Sequence, residues 1–334
     1  MSTIPITPEF IQGAITIESG DGYVRPWRTN YQQKELYPSI DDNLVNQMSK
    51  PVGVRVRFVT SSTSLTLSVL PDEVARMFDL VIGSERIDTL SLVAGETTLT
   101  IGDLPGDDET PVEVWLPYRG PVSLATIDGD GVRPLADPRP KWLTYGSSIT
   151  QGGGTAHSPS RTWPATAARA CDLNLTCMGF GGQCHLDSMI ARLIRDREVD
   201  LLTLKLGINV MGAASLSPRT FRGAVIGFTQ IIREKHPTIP IGIISPIISP
   251  PREATPNAVG FTLEMMRDEL IDVVDRIRQV TGDEKIYYFN GLELFGEKLV
   301  DDYLPDNLHP NGDGCEILGN NAATNVLPQL LTAL

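Results

Sequence analysis

The stretch "KWLTYGSSITQGGG" (residues 141–154) runs from an apolar segment into a glycine, two serines and a glycine triplet. A strand that turns sharply into a helix places backbone N–H groups and a serine at the edge of a sheet, where they bind a phosphate or hold a nucleophile. A P-loop needs a lysine after its glycines and a dinucleotide site needs Gly-x-Gly-x-x-Gly, and this turn has neither. The stretch therefore favours a serine nucleophile at the end of a strand.

Downstream of this turn, short apolar runs alternate with helical patterns. The runs are LNLTCMGF (173–180), VDLLTLKLG (199–207), IPIGIISPI (239–247) and KIYYFNG (285–291). Nearly continuous apolar runs are typical of parallel strands that are covered on both faces. Residues 138–334 are therefore predicted to form a flavodoxin-like, doubly wound α/β domain with a five-stranded parallel sheet, whose sites lie beyond the carboxyl ends of the strands. Lys205 is a charged residue inside one of these otherwise apolar runs, and the sequence pattern does not account for it.

Residues 1–137 have the pattern of a different, all-β domain. "VGVRVRFVT" (52–60) alternates valine with arginine, a period of two that is typical of a half-buried strand. Four further short strands separated by glycine, proline and acidic turns predict a β-sandwich or jelly roll. Residues 128–141, rich in Gly, Pro and Asp, are the predicted linker, and its prolines favour close docking of the two domains. Trp27 and Trp115 are interpreted as core residues rather than as a sugar platform.

The composition limits the class of partner. The 334-residue chain has a net charge of −13, which disfavours nucleic acids and anionic membranes, since both require a basic surface. Neither a signal peptide nor a run of about 18 apolar residues is visible, so a cytoplasmic location is expected. The four cysteines lack metal or redox spacing and are expected to be reduced thiols. No metal and no cofactor are implied, and the oligomeric state is left open.

A serine nucleophile requires a base, and His309 is the best candidate among the four histidines. Asp306 precedes it by three residues, so its carboxylate can accept a proton from one ring nitrogen while the other nitrogen faces outward. An Asp-x-x-His pair alone is also compatible with a surface turn. His157 and His236 are interpreted as surface residues, whereas His185 follows a glycine-rich loop and is a candidate for lining a site.

Four short blocks occur in a characteristic order, and through them the chain resembles the SGNH hydrolases, also called GDSL-type esterases. The blocks are Gly146-Ser147-Ser148, the GFGG segment with Gly182, Gly207-Ile208-Asn209-Val210, and Asp306-Asn307-Leu308-His309-Pro310. Each follows a predicted strand or precedes the last helix, and together they span residues 142–334. The β-rich first half further resembles a bacterial subgroup of acylhydrolases with an N-terminal β-sandwich, some members of which transfer acyl groups to natural products.

The resemblance implies a role for each matching residue. Ser148 is the expected nucleophile, His309 the general base and Asp306 the group that orients it. The oxyanion hole is expected from the N–H groups of Ser148 and Gly182 and the side-chain amide of Asn209.

Two positions depart from the family pattern, and two others are candidate contacts. Ser147 and Val210 stand where the family has aspartate, which predicts the loss of local hydrogen bonds that brace the turns. His185 and Arg252 are candidates for lining the substrate, with a structural role as the favoured alternative for each.

These observations lead to one main function hypothesis and two alternatives. The main hypothesis is a carboxylic ester hydrolase that cleaves short-chain acyl esters, such as acetyl esters, of a small molecule such as an acylated sugar or natural product. The first alternative is an acyltransferase that uses the same triad with an alcohol acceptor. The second is a carbohydrate-binding protein with a vestigial catalytic domain, and the intact residues of the four blocks argue against it.

Overall fold

A computed structural model describes residues 2–334, and the chain divides into two compact units. The first unit contains the chain up to Arg139 together with His157–Arg161 and Asp172–Cys177, and the second contains Pro140–Ala156, Thr162–Cys171 and Met178–Leu334. Two short segments from the second half of the sequence therefore belong to the N-terminal unit.

The first unit is an antiparallel β-sandwich, as predicted. Its strands are β1 (Ser2–Pro5), β2 (Ile11–Gln12), β3 (Thr16–Gly20), β4 (Tyr23–Trp27), β5 (Arg55–Val59), β6 (Leu65–Val69), β7 (Arg76–Ile82), β8 (Glu85–Leu92), β9 (Thr98–Ile101), β10 (Val112–Trp115), β11 (Leu124–Gly129) and β12 (Arg133–Pro134), with helix α1 (Asn43–Met48) between β4 and β5. One sheet has the order β3-β4-β11-β6-β9 with β1 beside β11, and the other has the order β12-β5-β10-β7-β8 with β2 beside β5. Apolar side chains from both sheets form one core, which includes Phe58, Leu67 and Val114.

Strand β5 is buried on both faces, so the prediction that it is half-buried is wrong. Arg55 and Arg57 are enclosed with Glu113, Asp137 and Arg139, and we call these five residues the buried ion cluster. Arg55 lies 2.7 Å from the Asp137 carboxylate, and Arg57 lies 3.3 Å from that of Glu113. Burial opposes ionisation of Asp137, but its contacts with Arg139 and Arg55 outweigh burial and lower its pKa to about 2. The two carboxylates offset two of the three arginine charges, which lowers the cost of burying them.

The segment predicted as a linker, residues 128–141, is built into the first unit over most of its length. Strand β11 runs to Gly129, and β12 pairs with β5 at the edge of its sheet. Asp137 and Arg139 then complete the buried ion cluster. Pairing with a sheet edge and with a buried arginine gives this Gly- and Pro-rich segment a fixed place.

The two tryptophans weighed as a sugar platform are core residues. Trp27 and Trp115 are both buried, and their indole N–H groups donate hydrogen bonds to Glu18 and Glu113. The Arg55 guanidinium also lies 5.3 Å from the Trp115 ring centre. Neither ring face is presented to a ligand.

The second half of the chain forms the predicted five-stranded parallel sheet with helices. Its strands are β13 (Lys141–Gly146), β14 (Asn174–Gly179), β15 (Leu201–Lys205), β16 (Ile241–Ile244) and β17 (Ile286–Phe289). Their order is β14-β13-β15-β16-β17, the flavodoxin-like arrangement. The helices are α2 (Ser148–Gln151), α3 (Trp163–Ala170), α4 (Ser188–Arg195), α5 (Ile208–Ala213), α6 (Pro218–Arg233), α7 (Leu263–Thr281), α8 (Gly291–Leu294), α9 (Val300–Tyr303), α10 (Gly312–Asn325) and α11 (Leu327–Thr332).

Two of these helices have an apolar face that is directed to the interior. Phe221, Val225, Phe228 and Ile232 of α6 are buried, as are Met266, Leu270, Val274 and Ile277 of α7. Phe228 stacks on Tyr145 of the sheet with 5.2 Å between ring centres. These apolar residues recur every three or four positions, which is the spacing of one face of a helix.

The structure also defines the surroundings of Lys205 and of the four cysteines. Lys205 is buried at the end of β15, and burial lowers its pKa to about 8. All four cysteines are free thiols, and burial raises the pKa of Cys184 and Cys315 to about 12, so both are neutral at physiological pH. Across residues 2–334, no helix combines the length and the apolar character needed to cross a membrane.

Candidate active site

The turn after β13 presents Ser148, whose hydroxyl does not cap the helix that follows. Ser147 is the N-cap of α2, and its Oγ accepts a hydrogen bond from the Ile149 N–H at 3.3 Å. Ser148 is the first residue of that helix and is partly exposed. The serine at position 147 therefore still braces the turn, although the related family has an aspartate there.

Ser148, His309 and Asp306 form a continuous hydrogen-bonded chain. Ser148 Oγ lies 2.8 Å from His309 Nε2, and His309 Nδ1 lies 2.7 Å from Asp306 Oδ2. Because a carboxylate only accepts hydrogen bonds, Nδ1 donates in this contact, and Nε2 is the ring nitrogen that faces the serine hydroxyl. A serine hydroxyl paired with an imidazole in this way is the arrangement that a serine nucleophile requires.

The turn that carries His309 is held from several sides. Asp306 Oδ1 accepts hydrogen bonds from the backbone N–H groups of Leu308, at 2.9 Å, and His309, at 2.6 Å. Burial opposes ionisation of Asp306, but its hydrogen bonds with His309 and Leu308 outweigh burial and lower its pKa, so it stays ionised. Asn307 adopts a left-handed conformation with φ 58°, and its carbonyl accepts a 2.6 Å hydrogen bond from Ser249 Oγ.

The glycine triplet makes room for the histidine. Gly153 has φ 60°, and a Cβ atom there would lie 3.2 Å from His309 Cδ2. A larger residue at 153 would thus suffer backbone strain and press on the imidazole ring. The closeness of His309 therefore explains why residue 153 is glycine, with no need to invoke phosphate binding.

The loop after β14 is braced by Gln151, which sequence analysis did not select, and by His185, which it selected as a candidate for lining the site. Gln151 Oε1 accepts a 2.7 Å hydrogen bond from the Gly181 N–H. His185 donates from Nε2 to the Gly182 carbonyl at 3.0 Å, and its Nδ1 lies 2.8 Å from Ser215 Oγ. No sequence motif indicates the contact between Gln151 and Gly181, because the two residues lie 30 positions apart along the chain.

Three hydrogen-bond donors, on residues that line one cleft, have no acceptor within residues 2–334. Asn209 Oδ1 accepts a 3.0 Å hydrogen bond from the Cys184 N–H, which leaves the Asn209 amide group to donate elsewhere. Within residues 2–334, no group accepts a hydrogen bond from that amide or from the backbone N–H groups of Ser148 and Gly182. Gly182 has φ 70°, a conformation that suits glycine.

A cleft of about 240 Å³ opens over the serine. It is lined by Ser148, Gly182, Asn209, Arg252 and Leu308, together with small and apolar residues of α5. Of the two residues considered as substrate contacts, Arg252 therefore lies in the cleft. His185 is not among the described residues that line it and instead braces Gly182.

Comparison with protein families matches both halves of the chain. A model of the GDSL-like lipase/acylhydrolase family matches residues 144–317, and a model of the SsfX3 N-terminal domain matches residues 10–124. A comparison with curated protein sequences found no match.

Solved structures with the same two-part fold are also found. A salicylyl-acyltransferase, SsfX3, from a tetracycline biosynthetic pathway is 30% identical with a TM-score of 0.88, over 98% of each chain. A GDSL-like lipase from Bacteroides ovatus is 18% identical with a TM-score of 0.77, over 99% of this chain and 98% of that one. An acetyl xylan esterase from Butyrivibrio proteoclasticus is 14% identical with a TM-score of 0.64, over 98% of each chain. The last two comparisons show a shared fold alone.

Proposed function

Because the chain belongs to the GDSL-like lipase/acylhydrolase family, we propose that it cleaves short-chain acyl esters of a small molecule through an acyl-enzyme at Ser148. The observation that carries this proposal is the hydrogen-bonded chain from Ser148 through His309 to Asp306. Serine, imidazole and carboxylate in this order are the parts that acyl transfer requires.

In the first half-reaction, Ser148 Oγ attacks the ester carbonyl while His309 Nε2 takes the hydroxyl proton. The oxygen–carbon bond to serine forms, and the carbonyl oxygen becomes an oxyanion. When the tetrahedral intermediate collapses, the bond to the leaving alcohol breaks and His309 returns the proton to that alcohol. Asp306 holds the imidazole in place and stabilises its charged form.

In the second half-reaction, a water molecule attacks the acyl-enzyme. His309 takes a proton from the water, the bond from the acyl carbon to Ser148 breaks, and the serine recovers the proton. The products are a carboxylic acid and free enzyme. The same steps with an alcohol in place of water yield a new ester.

The oxyanion is stabilised by the three donors that lack protein acceptors. We assign this role to the N–H groups of Ser148 and Gly182 and to the side-chain amide of Asn209. Donors that are already fixed before charge develops need little reorganisation during the reaction. The Cys184 contact fixes the Asn209 amide in this way.

The size of the cleft favours a short acyl group. Its volume of about 240 Å³ is smaller than the 300–1,000 Å³ typical of sites for drug-sized ligands. Small acyl groups such as acetyl fit such a volume.

Transfer to a small-molecule alcohol is the second candidate, and a specific observation favours it. The relative with 30% identity over 98% of each chain is an acyltransferase, and the match to the SsfX3 N-terminal domain extends the similarity to the sandwich. The triad serves both reactions, so the acceptor distinguishes them.

A panel of p-nitrophenyl esters from C2 to C12, assayed with and without acceptor alcohols, tests both candidates. Ester hydrolysis predicts release of the free acid and a rate that falls with chain length. If added alcohol accelerates p-nitrophenol release and the acyl group is recovered as a new ester, transfer is the better description. Absence of turnover for every ester, with and without an acceptor, would contradict both.

The rate is expected to fall on acidification between pH 8 and pH 5. A protonated imidazole has no lone pair to accept the Ser148 proton, so a mechanism with a histidine base loses rate on acidification. Asp306 does not contribute to this fall, because its lowered pKa keeps it ionised there. The check is kcat/KM against pH on a substrate whose chemistry limits the rate, with circular dichroism at each pH to exclude unfolding. A flat profile over this range would remove His309 from the role of base.

Substitutions of Asn209 separate stabilisation of the oxyanion from bracing of the loop. Asn209→Ala is expected to lower kcat by about 10²–10³-fold, the usual effect of removing one oxyanion donor. Asn209→Asp keeps an acceptor for the Cys184 N–H but removes the donor, so kcat should fall at least as far. Wild-type kcat in Asn209→Asp would mean that Asn209 acts only as a brace.

A further inference from the structure

We propose that Arg252 is a specificity residue that binds an anionic group of the substrate, a carboxylate or a phosphate, in the cleft over Ser148. This inference rests on the function proposed above and names the chemical class of its substrate. It is carried by the charges that line the cleft, by the free edge of the guanidinium and by the network that holds it.

The charge among the described residues that line the cleft is positive. Arg252 is the one ionisable side chain among the described residues that line it. The chain as a whole has a net charge of −13, so the positive charge in this cleft is opposite in sign to the charge of the whole protein. An anionic group that enters the cleft finds its partner there and meets no carboxylate along the lining.

The guanidinium of Arg252 has a fixed side and an open side. Its Nη1 donates to Ser249 Oγ at 2.9 Å and reaches the Asn307 carbonyl at 3.5 Å. Its Nε and Nη2 have no acceptor within residues 2–334, and no carboxylate there pairs with it. The Nε–Nη2 edge of a guanidinium matches two oxygens of a carboxylate or phosphate in a bidentate contact.

An ion pair with the buried Arg267 holds the neighbouring acidic residue, Glu253, away from Arg252. Glu253 accepts hydrogen bonds from Arg267 at 2.6 and 3.0 Å and from the Ser249 N–H at 2.9 Å. Arg267 is itself buried and also donates to the Pro246 carbonyl. The loop that carries Arg252 is therefore held in place while the charge of Glu253 is neutralised by Arg267. The Arg252 fork is thus preorganised, which lowers the entropic cost of binding.

Two matched pairs of esters test the proposal and locate the anionic group. Ethyl hydrogen succinate and ethyl succinamate differ by carboxylate against carboxamide on the acyl side. 3-Acetoxybenzoate and 3-acetoxybenzamide differ in the same way on the alcohol side. In at least one pair, the wild-type protein should prefer the carboxylate by roughly 10- to 100-fold in kcat/KM, as expected for hydrogen bonds to a charged group. The pair that shows the preference identifies the side on which the anion lies.

Variants of Arg252 separate recognition from a purely structural role. Arg252→Gln should abolish the preference mainly through KM of the carboxylate ester, and Arg252→Lys should restore part of it because the charge returns without the fork. Arg276→Gln, at an exposed arginine of α7, makes the same change in net charge and should keep the wild-type preference. A structural role alone would change both members of a pair equally.

A binding measurement keeps the test independent of turnover. Ser148→Ala protein titrated calorimetrically with the same four esters should bind the preferred carboxylate at least about tenfold more tightly than its carboxamide. Equal binding and equal turnover within both pairs, or a preference that survives Arg252→Gln, would overturn the proposal. If the wild-type protein cleaves none of the four esters but Ser148→Ala still binds a carboxylate more tightly than its carboxamide, the proposed function is contradicted and this inference stands.

Discussion

Replacement of Ser148 by alanine is expected to lower kcat for ester cleavage by about 10⁴-fold or more, to the level that binding and the oxyanion hole alone sustain. The Ser148 Oγ atom is the one that bonds to the acyl group, and it lies 2.8 Å from His309 Nε2. The fold should be unaffected, because the N-cap of α2 is Ser147 rather than Ser148. The measurement is initial-rate kinetics on p-nitrophenyl acetate with a thermal unfolding curve for each protein.

A matched control uses a serine remote from the chemistry. Ser91→Ala, on an exposed position of β8 in the sandwich unit, removes the same atom and should keep wild-type kinetics. Mass spectrometry of wild-type protein quenched during turnover should show an acyl adduct that Ser148→Ala lacks. If Ser148→Ala retained more than a few per cent of wild-type turnover, the nucleophile would have to be another residue.

Replacement of Asp306 by asparagine is expected to lower kcat by about 10⁴-fold with little change in the fold. The asparagine Oδ1 can still accept hydrogen bonds from the N–H groups of Leu308 and His309, so the turn is preserved. Its NH₂ group, however, donates a hydrogen bond to Nδ1, whereas the carboxylate of Asp306 accepts one from Nδ1. That exchange places the imidazole proton on Nε2, and the ring then has no lone pair to accept the Ser148 proton.

The comparison that isolates this effect is Asp301→Asn, at an exposed carboxylate of α9 that makes the same change in charge. It should leave kcat and KM unchanged, while Asp306→Asn lowers kcat with KM nearly constant. NMR of the imidazole ¹⁵N resonances gives a second readout, since the two tautomers differ in chemical shift. Near-wild-type kcat in Asp306→Asn would show that orientation of the imidazole does not depend on the carboxylate.

The sheet and the candidate site are largely predictable because both follow local rules. Apolar runs covered on both faces identify β13 to β17, and chemistry at the carboxyl ends of such strands follows from the topology. Ser148, Gly182 and Asn209 each follow a predicted strand, and His309 lies in a short motif with its own carboxylate. Hydrogen bonds within a motif are visible in a sequence because the partners are close along the chain.

The features that escaped prediction depend on partners far apart in sequence. Alternation in β5 predicts exposed arginines, but Glu113 from β10 and Asp137 beyond β12 neutralise Arg55 and Arg57 inside the sandwich. Periodicity reports which residues share a face and does not report what covers that face. For the same reason, Ser249 as a support of the His309 turn has no signal in the sequence.

The buried ion cluster also restricts how this protein can vary through evolution. Deletion of one partner from a buried ion pair costs about 3–5 kcal/mol, because the remaining charge stays uncompensated. A domain is stable by only about 5–15 kcal/mol, so one such substitution removes a large share of the margin. Joint replacement of Arg55, Arg57, Glu113, Asp137 and Arg139 by apolar residues of similar volume avoids the uncompensated charge. Descendants of this sequence should therefore inherit the five residues together or exchange them together, so that residues from three distant parts of the chain behave as one heritable unit.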